Sequence, residues 1–440
     1  MSILNDTVLE SNKYLKLNFN GGDLSSDAGL LLIKEFAYKL GFVNILKKEF
    51  KTNDSASFRF HKDDENLWQV IYQILGAYFE DDCADELTND PVLTAILSKK
   101  VLASQPTLSR FFNRMDEATL NQFYDLMRRF RKVVYSVKKP EMLLLDLDST
   151  LLNTYGHQEG EGFNFHYQNR GYHPLVCYDG ITGDLLKIEL RNGTDYSSTG
   201  VMEFLQPLLD EFGAEYPDIP LLLRGDSGFT KPELYHQCET NGVSYAIRLK
   251  ENGILRELAS DIDAQLTEIT RNDMVSYAVC YGEFLYQAKS WDYPRRVVCK
   301  IEPTGQFIRM YTFIITNMDS KAEKVVKFYC KRGAMENYIK ESKNGFDFAA
   351  VSSSSKIVNA NRLQIHALAY NIFSWFKRLA LSAAMRKQQI DTIRLKLLKI
   401  AAKVVHSARY ITFKLCSSCP YKDEFYETLE NIRGLQPKLE

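Results

Sequence analysis

Two short apolar runs in the middle of the chain each lead into an acidic residue. The first, LLLDLDS, contains Asp146 and Asp148, and the second, LLLRGD, ends at Asp226. Apolar runs of this length, bounded by polar residues, indicate strands that are buried in a sheet. Two more apolar runs, YHPLVCYD and LLKIELR, lie between them around a Gly-bearing turn and predict a β-hairpin.

Helical patterns separate the later strands. The segment SSTGVMEFLQPLLDEFG predicts an amphipathic helix before the second acidic strand. After that strand, Thr230 and Glu233 form a capping box around Pro232, which predicts a helix that ends at Asn241 and Gly242. The run VSYAIRLK predicts one further strand. Antiparallel strands followed by helix-linked strands are typical of a mixed α/β sheet.

The flanks of this core have different patterns. Residues 1–140 are mainly helical by pattern, whereas residues 252–319 contain runs rich in Val, Ile and Tyr that predict strands. Ser320 and Glu323 form another capping box, so we expect one helix from there to about Gly345. From residue 358 onward the pattern predicts helices.

Length and charge narrow the possible classes of protein. A chain of 440 residues is too long for one compact core, so we expect several domains. The formal net charge is −1, which means that a nucleic-acid partner would have to be bound by local basic surfaces. No apolar run approaches the roughly 18 residues of a membrane span, and the eight cysteines are scattered. We therefore expect a cytoplasmic protein without a membrane partner.

Two stretches of the chain concentrate positive charge. A predicted helix ends with six basic residues between Arg128 and Lys139. Between Lys377 and Lys414 there are ten Lys or Arg residues and one acid, Asp391. Each stretch by itself is typical of a solvated helix face, but such surfaces also bind the phosphates of DNA.

Four polar side chains in the segment FYCKRGAMENYIKESKNG recur at helical spacing. They are Tyr329, Arg332, Glu336 and Lys343. If the segment is one continuous helix, they fall within an arc of about 60°, and Lys340 lies close to them. One helix face would then present a single carboxylate among cations and a phenol.

Asp148, Asp226 and Glu336 are the kind of oxygen ligands that Mg²⁺ prefers. If the late helix packs beside the two strand ends, the three carboxylates predict a site for two Mg²⁺ ions, with Mn²⁺ as an alternative. Two such ions can hold both the attacking and the leaving oxygen of an in-line phosphoryl transfer.

The same residues carry a family resemblance. The spacing Tyr329-x2-Arg332-x3-Glu336-x6-Lys343 resembles the Tyr-Arg-Glu-Lys signature of a large superfamily of bacterial insertion-sequence transposases, the DDE class.

The two aspartate segments also resemble motifs of that superfamily. Asp148-Ser-Thr150 is similar to its first-aspartate motif, and Arg224-Gly-Asp226-Ser-Gly-Phe229 is similar to its second. The resemblance covers roughly residues 143–381. The N-terminal part matches less distinctly, so residues that recognise the DNA ends cannot be assigned from it.

The resemblance implies an α/β fold: a ribonuclease-H-like mixed sheet core with a β-rich insertion, flanked by N- and C-terminal helical regions. The implied segments are an N-terminal helical DNA-binding region at 1–140, the first part of the core at 141–251, the β-rich insertion at 252–319, the second part of the core with the catalytic Glu helix at 320–380, and a basic C-terminal helical region at 381–440.

The resemblance also implies an activity. Such an enzyme binds the terminal inverted repeats of its insertion sequence, pairs them as a homodimer in a synaptic complex, cleaves the DNA with Mg²⁺ and joins the 3′-hydroxyl ends to target DNA. It would act on double-stranded DNA in the bacterial cytoplasm, at the nucleoid. The implied catalytic and metal-binding residues are Asp148, Asp226 and Glu336. The implied DNA-binding residues are Tyr329, Arg332, Lys343, Lys340 and Trp291.

Two alternatives are kept beside this interpretation. A non-catalytic DNA-binding protein derived from a transposase would share its basic surfaces but not its chemistry. A haloacid-dehalogenase-type phosphatase would use Asp146 as the nucleophile and Asp148 as acid and base, but it requires a late second acid that the segment GDSGFTKPEL lacks. Within the transposase interpretation, Asp146 is expected on the opposite face of the strand from Asp148.

Other candidate residues give weaker signals. Trp291 could stack on an extruded base, although a plain core or surface tryptophan is at least as common. His157, His166 and His173 do not have the spacing of a standard zinc motif. Cys416 and Cys419 are the only close cysteine pair, and without a second pair they are expected to be structural thiols.

Overall fold

The computed structural model describes residues 6–272, 277–304 and 308–438. After a short β-structure at the start, residues up to 138 are helical, as the pattern predicts. The strands are β1 (Thr7–Leu9), β2 (Asn12–Leu17) and β3 (Leu24–Ser25). The helices are α1 (Leu30–Lys39), α2 (Phe42–Glu49), α3 (Asp63–Leu75), α4 (Cys83–Glu86), α5 (Pro91–Ile96), α6 (Gln105–Phe112) and α7 (Glu117–Val137).

The middle of the chain alternates strands and helices. Its strands are β4 (Leu143–Ser149), β5 (Leu152–Asn153), β6 (Gly162–Asn164), β7 (Asn169–Tyr172), β8 (Leu175–Asp179), β9 (Leu185–Glu189), β10 (Leu221–Gly225), β11 (Ser244–Leu249), β12 (Cys280–Tyr286), β13 (Arg295–Pro303) and β14 (Arg309–Thr316). Its helices are α8 (Val201–Glu215), α9 (Pro232–Thr240), α10 (Gly253–Leu258), α11 (Ser260–Asn272), α12 (Ala322–Cys330) and α13 (Gly333–Phe346). The predicted hairpin, both acidic strands and the strand over VSYAIRLK are confirmed.

The C-terminal part departs from the helical prediction. It contains α14 (Lys356–Ala380), α15 (Ile390–Ile393), a π-helical turn (Arg394–Leu398), β15 (Ala402–His406), β16 (Ile411–Leu415) and α16 (Lys422–Gly434). The prediction of helices throughout is therefore wrong over β15 and β16. These two strands pair with each other, and β15 also pairs with β3 from the start of the chain. Their β-branched and aromatic residues suit a pleated surface, and the partner strand is remote in sequence.

The chain divides into two compact units. The first contains residues 1–138, 343–350 and 361–440, so the N-terminal helices share one unit with the C-terminal segment. Its core includes the stacked rings of Phe42 and Phe130, whose centroids are 4.0 Å apart, with Trp375 packed edge-on at 5.7 Å from Phe42. Asp116 begins α7 by accepting a hydrogen bond from the backbone N–H of Thr119 at 3.0 Å, which satisfies a free donor at the helix N-terminus.

The second unit contains residues 139–342 and 351–360 and is built on an eight-stranded mixed sheet. The strand order is β12-β13-β14-β11-β10-β4-β8-β9. Strands β4, β10 and β11 are parallel neighbours, and β8 and β9 extend the sheet antiparallel beside β4. A separate three-stranded sheet has the order β5-β7-β6. The predicted mixed α/β sheet is confirmed.

The segment at 252–319 differs from the predicted β-rich insertion in two respects. Its first part, to Asn272, is helical, as α10 and α11. Its strands do not form a sheet of their own, because β14 pairs antiparallel with β11 and so extends the main sheet. The beginning of the predicted strand, from Met274 to Ser276, lies outside the described residues.

Two predicted helix starts are displaced by a residue or two. Helix α9 begins at Pro232 after Lys231, and Thr230 instead donates a hydrogen bond to the carbonyl oxygen of Ser227 at 2.9 Å. Helix α12 begins at Ala322, so Ser320 does not cap it. Among the described residues, no helix combines the length and apolar character needed to cross a membrane.

Candidate active site

The two predicted aspartates meet at one edge of the main sheet. Strands β4 and β10 are parallel neighbours, with Asp146 paired in register with Arg224, so their carboxyl ends point the same way. Asp148 is the last residue but one of β4, and Asp226 directly follows β10. Burial raises the pKa of the Asp148 carboxyl, and the negative charge of Asp226 adds to this rise. The two carboxylates are therefore close enough to interact electrostatically.

Asp226 is held by its own loop. Its carboxylate accepts a hydrogen bond at 2.9 Å from the backbone N–H of Gly228, at the start of a 3₁₀ turn. A side chain at Gly228 would have its Cβ 3.1 Å from that of Ser197, so the loop leaves little room there. Ser197 in turn lies 3.1 Å, hydroxyl to hydroxyl, from Ser149. The end of β4 is thus hydrogen-bonded to the segment that holds Ser197, and this segment lies close to the loop of Asp226.

Asp146 has a different role from Asp148. Its carboxylate is fully buried and accepts two hydrogen bonds of 2.6 Å from Nε and Nη2 of Arg224. Nη1 of Arg224 donates to the carbonyl oxygen of Phe328 at 2.7 Å. A Cβ atom at Gly180 would lie 2.3 Å from Oδ2 of Asp146, so only glycine fits beside this pair. Asp146 is therefore a structural residue, and its burial is at odds with a nucleophile of the phosphatase alternative.

Arg332 is the cation of this site. Its Nη2 lies 2.8 Å from Oδ2 of Asp148 and donates a hydrogen bond of 3.1 Å to the carbonyl oxygen of Leu147. Its Nε is buried and has no hydrogen-bond partner within the described part of the chain. The guanidinium group opposes the effect of burial by lowering the pKa of Asp148. Arg332 thus balances the charge of the first aspartate.

Tyr329 lies mainly in the core. Its ring belongs to an apolar cluster with Ala246, Val298, Ile314, Val325 and Val326. Burial raises the pKa of the Tyr329 hydroxyl, and the positive charge of Arg332 opposes that rise. The side chain therefore lies between the core and the charged site.

The predicted continuous helix over Tyr329 to Lys343 is wrong. Helix α12 ends at Cys330 and α13 begins at Gly333, so Arg332 lies in the junction. The backbone N–H of Arg332 donates to the carbonyl oxygen of Tyr329 at 2.9 Å, which is the spacing of a turn. Gly333 is a poor helix former and permits this break. The shared arc derived for a single helix therefore does not describe these side chains.

Glu336 does not join the aspartates in this structure. Helix α13 packs on β8 through Tyr338 and Ser342, whose hydroxyl lies 2.7 Å from that of Tyr178. Glu336 is exposed, and it precedes Tyr338 by two residues, which is about 200° around the axis. The described residues contain no group of three or more His, Cys, Asp or Glu side chains arranged to hold a metal ion. Two of the three predicted carboxylates are therefore brought together.

The other predicted DNA-binding residues have varied surroundings. Lys340 is exposed on α13, and burial lowers the pKa of Lys343 in the part of that helix that belongs to the first unit. Trp291 is only 8% exposed, and its ring packs edge-on against Tyr235 and Tyr286 at 5.5 and 5.3 Å. Stacking of Trp291 on a base stays a prediction that requires the ring to leave this packing.

Sequence reasoning missed two residues that shape the site. The Tyr167 hydroxyl donates to the carbonyl oxygen of Ser149 at 3.0 Å, and burial together with the charges of Asp148 and Asp226 raises the pKa of Tyr167 to about 12. Arg191 is buried. Its Nη1 donates to the carbonyl oxygens of Tyr196, Ser197 and Thr199. No sequence motif marks these residues, because their partners are remote or belong to the backbone.

The histidine and cysteine candidates do not form a metal centre among the described residues. His173 is buried, with Nδ1 2.7 Å from the carbonyl oxygen of Asp195. Cys416 and Cys419 are free thiols, and Cys416 is exposed.

Comparisons with known proteins identify the family of this chain. The family model described as transposase DDE domain group 1 matches residues 8–437. No curated protein matches the chain. Among solved structures, the chain is similar to a cryo-EM structure of the piggyBac transposase synaptic complex with hairpin DNA. That similarity has 14% sequence identity and a TM-score of 0.44, and it covers 85% of this chain and 80% of that chain. The family model spans nearly the whole chain, and the chain therefore belongs to the group 1 DDE-domain transposases.

Proposed function

We propose that this protein is the transposase of a bacterial insertion sequence. It binds the terminal inverted repeats of its element, cleaves the DNA there by phosphoryl transfer and joins the freed 3′-hydroxyl ends to target DNA. It works as a homodimer that holds two ends together, on double-stranded DNA at the nucleoid. Membership of the DDE transposase family supports the DNA-cleaving and DNA-joining class of reaction.

The observation that carries the proposal is the pair of aspartates at the sheet edge. Asp148 and Asp226 end adjacent parallel strands and interact electrostatically, in a site that also holds Arg332. The strand order supports a ribonuclease-H-like core, because three antiparallel strands, β9, β8 and β4, continue into the parallel strands β10 and β11. The residues proposed as first and second aspartates thus follow neighbouring parallel strands although they are far apart in sequence.

Asp148 and Asp226 fit a divalent cation, which is the cofactor that DDE transposases generally use. Both offer carboxylate oxygens, and the rise in the pKa of Asp148 marks a site where another positive charge would be stabilising. When bound, Mg²⁺ supplies Lewis acidity that favours attack of an oxygen nucleophile on phosphorus. We propose that Asp148 and Asp226 hold it. Glu336 is the proposed third ligand, although its exposed side chain is not grouped with the aspartates here.

The remaining residues of the site bind and position DNA in this proposal. The guanidinium group of Arg332 lies beside Asp148, and such groups bind phosphate oxygens through parallel hydrogen bonds. Tyr329, Lys340 and Lys343 are the further proposed DNA-binding residues, and Lys340 is exposed on α13. These roles follow the Tyr-Arg-Glu-Lys signature that the sequence resembles.

The test uses labelled duplexes that carry the DNA flanking the gene, incubated with Mg²⁺, with Mn²⁺ or with a chelator. We expect metal-dependent cleavage by the wild-type protein, and none above background by Asp148→Asn or Asp226→Asn, while both variants still bind the DNA. Asp218→Asn is the matched control, because Asp218 is exposed just before β10 and should leave cleavage unchanged.

The Glu336→Gln variant tests whether Glu336 is the third metal ligand. Loss of cleavage with retained binding would support Glu336 as the third ligand, and unchanged cleavage would remove it from the site. The second candidate function is a non-catalytic DNA-binding protein derived from a transposase. Binding of the flanking DNA by the wild-type protein without cleavage under either metal would decide for that alternative.

A further inference from the structure

The separate sheet β5-β7-β6 carries an exposed aromatic turn, residues 164–168, in the second unit. Phe165 in this turn is 82% exposed. The neighbouring Phe163, in β6, is 37% exposed, and the two rings pack edge to face with their centroids 5.3 Å apart. A lone exposed phenylalanine is ordinary on a protein surface, so its surroundings decide whether it has a function.

The backbone of the aromatic turn is held in place without using the ring of Phe165. The Asn164 Oδ1 accepts hydrogen bonds from the N–H groups of His166 and Tyr167 at 3.1 and 3.3 Å, and its Nδ2 donates to Gly193 at 3.0 Å. Gln168 adopts a φ of 54°, and its Nε2 donates to the carbonyl oxygen of Phe165 at 2.8 Å. The turn is therefore preorganised, and it presents the Phe165 ring to solvent.

The aromatic turn is attached directly to the proposed catalytic edge. The hydroxyl of Tyr167 donates to the carbonyl oxygen of Ser149, the residue after Asp148, at 3.0 Å. Phe165 precedes Tyr167 by two residues, so their Cα atoms are at most about 7 Å apart. Since successive nucleotides of a strand rise by about 3.4 Å, the ring lies within a few nucleotides of a phosphate at Asp148.

We infer that Phe165, backed by Phe163, is a stacking platform for an unpaired base of the DNA strand beside the cleaved phosphate. Every base has a π-face, so an aromatic ring can hold an unpaired nucleotide without reading its sequence. A fully paired duplex offers no free base face in the same way. The inference rests on the proposed function, because it requires DNA at the aspartates.

The experiment compares the affinity of the full-length protein for two short duplexes of one sequence. One duplex is fully paired, and the other has an abasic site opposite a central 2-aminopurine, which leaves that base unpaired. We expect the wild-type protein to prefer the unpaired duplex by at least about five-fold and to quench the 2-aminopurine fluorescence. Phe165→Ala should abolish the preference and the quenching, and Phe165→Trp should retain both.

Tyr277→Ala is the matched control, because Tyr277 is an exposed aromatic residue of the same unit, at 55%, outside the proposed DNA-binding regions. It should keep the wild-type preference. Equal binding of both duplexes by the wild-type protein overturns the stacking platform and leaves the proposed function in place. A retained preference in Phe165→Ala, or an equal loss in Tyr277→Ala, also overturns it. Binding of neither duplex refutes DNA binding itself, and the platform with it.

Discussion

Replacing Asp146 with alanine removes the carboxylate that neutralises the guanidinium group of Arg224. Both side chains are essentially inaccessible, at 0% and 1% exposure, and two hydrogen bonds of 2.6 Å join them. The alanine variant would leave Nε and Nη2 of Arg224 buried without acceptors, and only Nη1 would keep its bond to Phe328. Breaking a buried pair in this way costs about 3–5 kcal/mol, because a buried charge is left uncompensated.

Removing both charges should cost less. In Asp146→Leu/Arg224→Met, two apolar side chains replace the pair, and such replacements are often neutral. The carbonyl oxygen of Phe328 would lose its donor, which adds a penalty of about 1–3 kcal/mol. Asp148→Asn is the comparison within the same strand. Its ion pair with Arg332 is less completely buried, with side-chain exposures of 18% and 12%, so we expect a smaller loss than for Asp146→Ala.

The assay is hydrogen exchange of peptides from β4 and β10 at increasing urea concentration. A local measurement is needed because a chain of two compact units does not unfold as a single two-state system. Asp146→Ala should lower the free energy of opening of both strands by about 3–5 kcal/mol. A loss below about 1 kcal/mol, or a double variant no more stable than Asp146→Ala, would refute the assignment of this pair as a buried structural contact.

Two other predictions concern pH and salt. Burial raises the pKa of Asp179 from 3.8 to about 6, so the folded state favours the protonated carboxyl group. The free energy of unfolding of the second unit should therefore fall by about 3 kcal/mol as the pH rises from about 4 to about 6. Asp179→Asn should remove this dependence in hydrogen exchange of β8 and β9, and an unchanged pH profile would contradict it. Lys403, Arg409 and Lys414 are exposed on β15, β16 and their connecting turn. Their replacement by Gln should lower the slope of log affinity for DNA against log salt by about 0.9 per lost phosphate contact, and an equal slope would exclude this hairpin from the DNA interface.

The sequence pattern could predict the two acidic strands because the apolar run that indicates each strand lies within a single short segment. Continuous apolar runs around Asp148 and Asp226 indicate buried strands, and parallel strands joined by helices place their ends at one edge. The same pattern could not give the partner of Asp146. Its ion pair joins residues 78 positions apart, and nothing in either segment marks Arg224 as the buried member.

The predicted shared helix face is wrong for a local reason. The chain does not keep regular helical geometry through Arg332, where it forms a turn between α12 and α13. Arg332 nevertheless lies at the site, because its guanidinium group contacts Leu147 and Asp148 of β4. A periodic pattern predicts a shared face only while the helix continues, and this helix ends at Cys330, before Arg332.

The pairing of β14 with β11 has a consequence for how this protein can vary. Strands β12, β13 and β14 continue the sheet that carries the aspartates, so they cannot be exchanged or deleted as a self-contained module. Removing them would expose the backbone donors and acceptors of β11, a strand otherwise enclosed in the sheet interior, and would invite pairing with other chains. A shortened form of this protein would therefore have to keep β14 as the cover of β11.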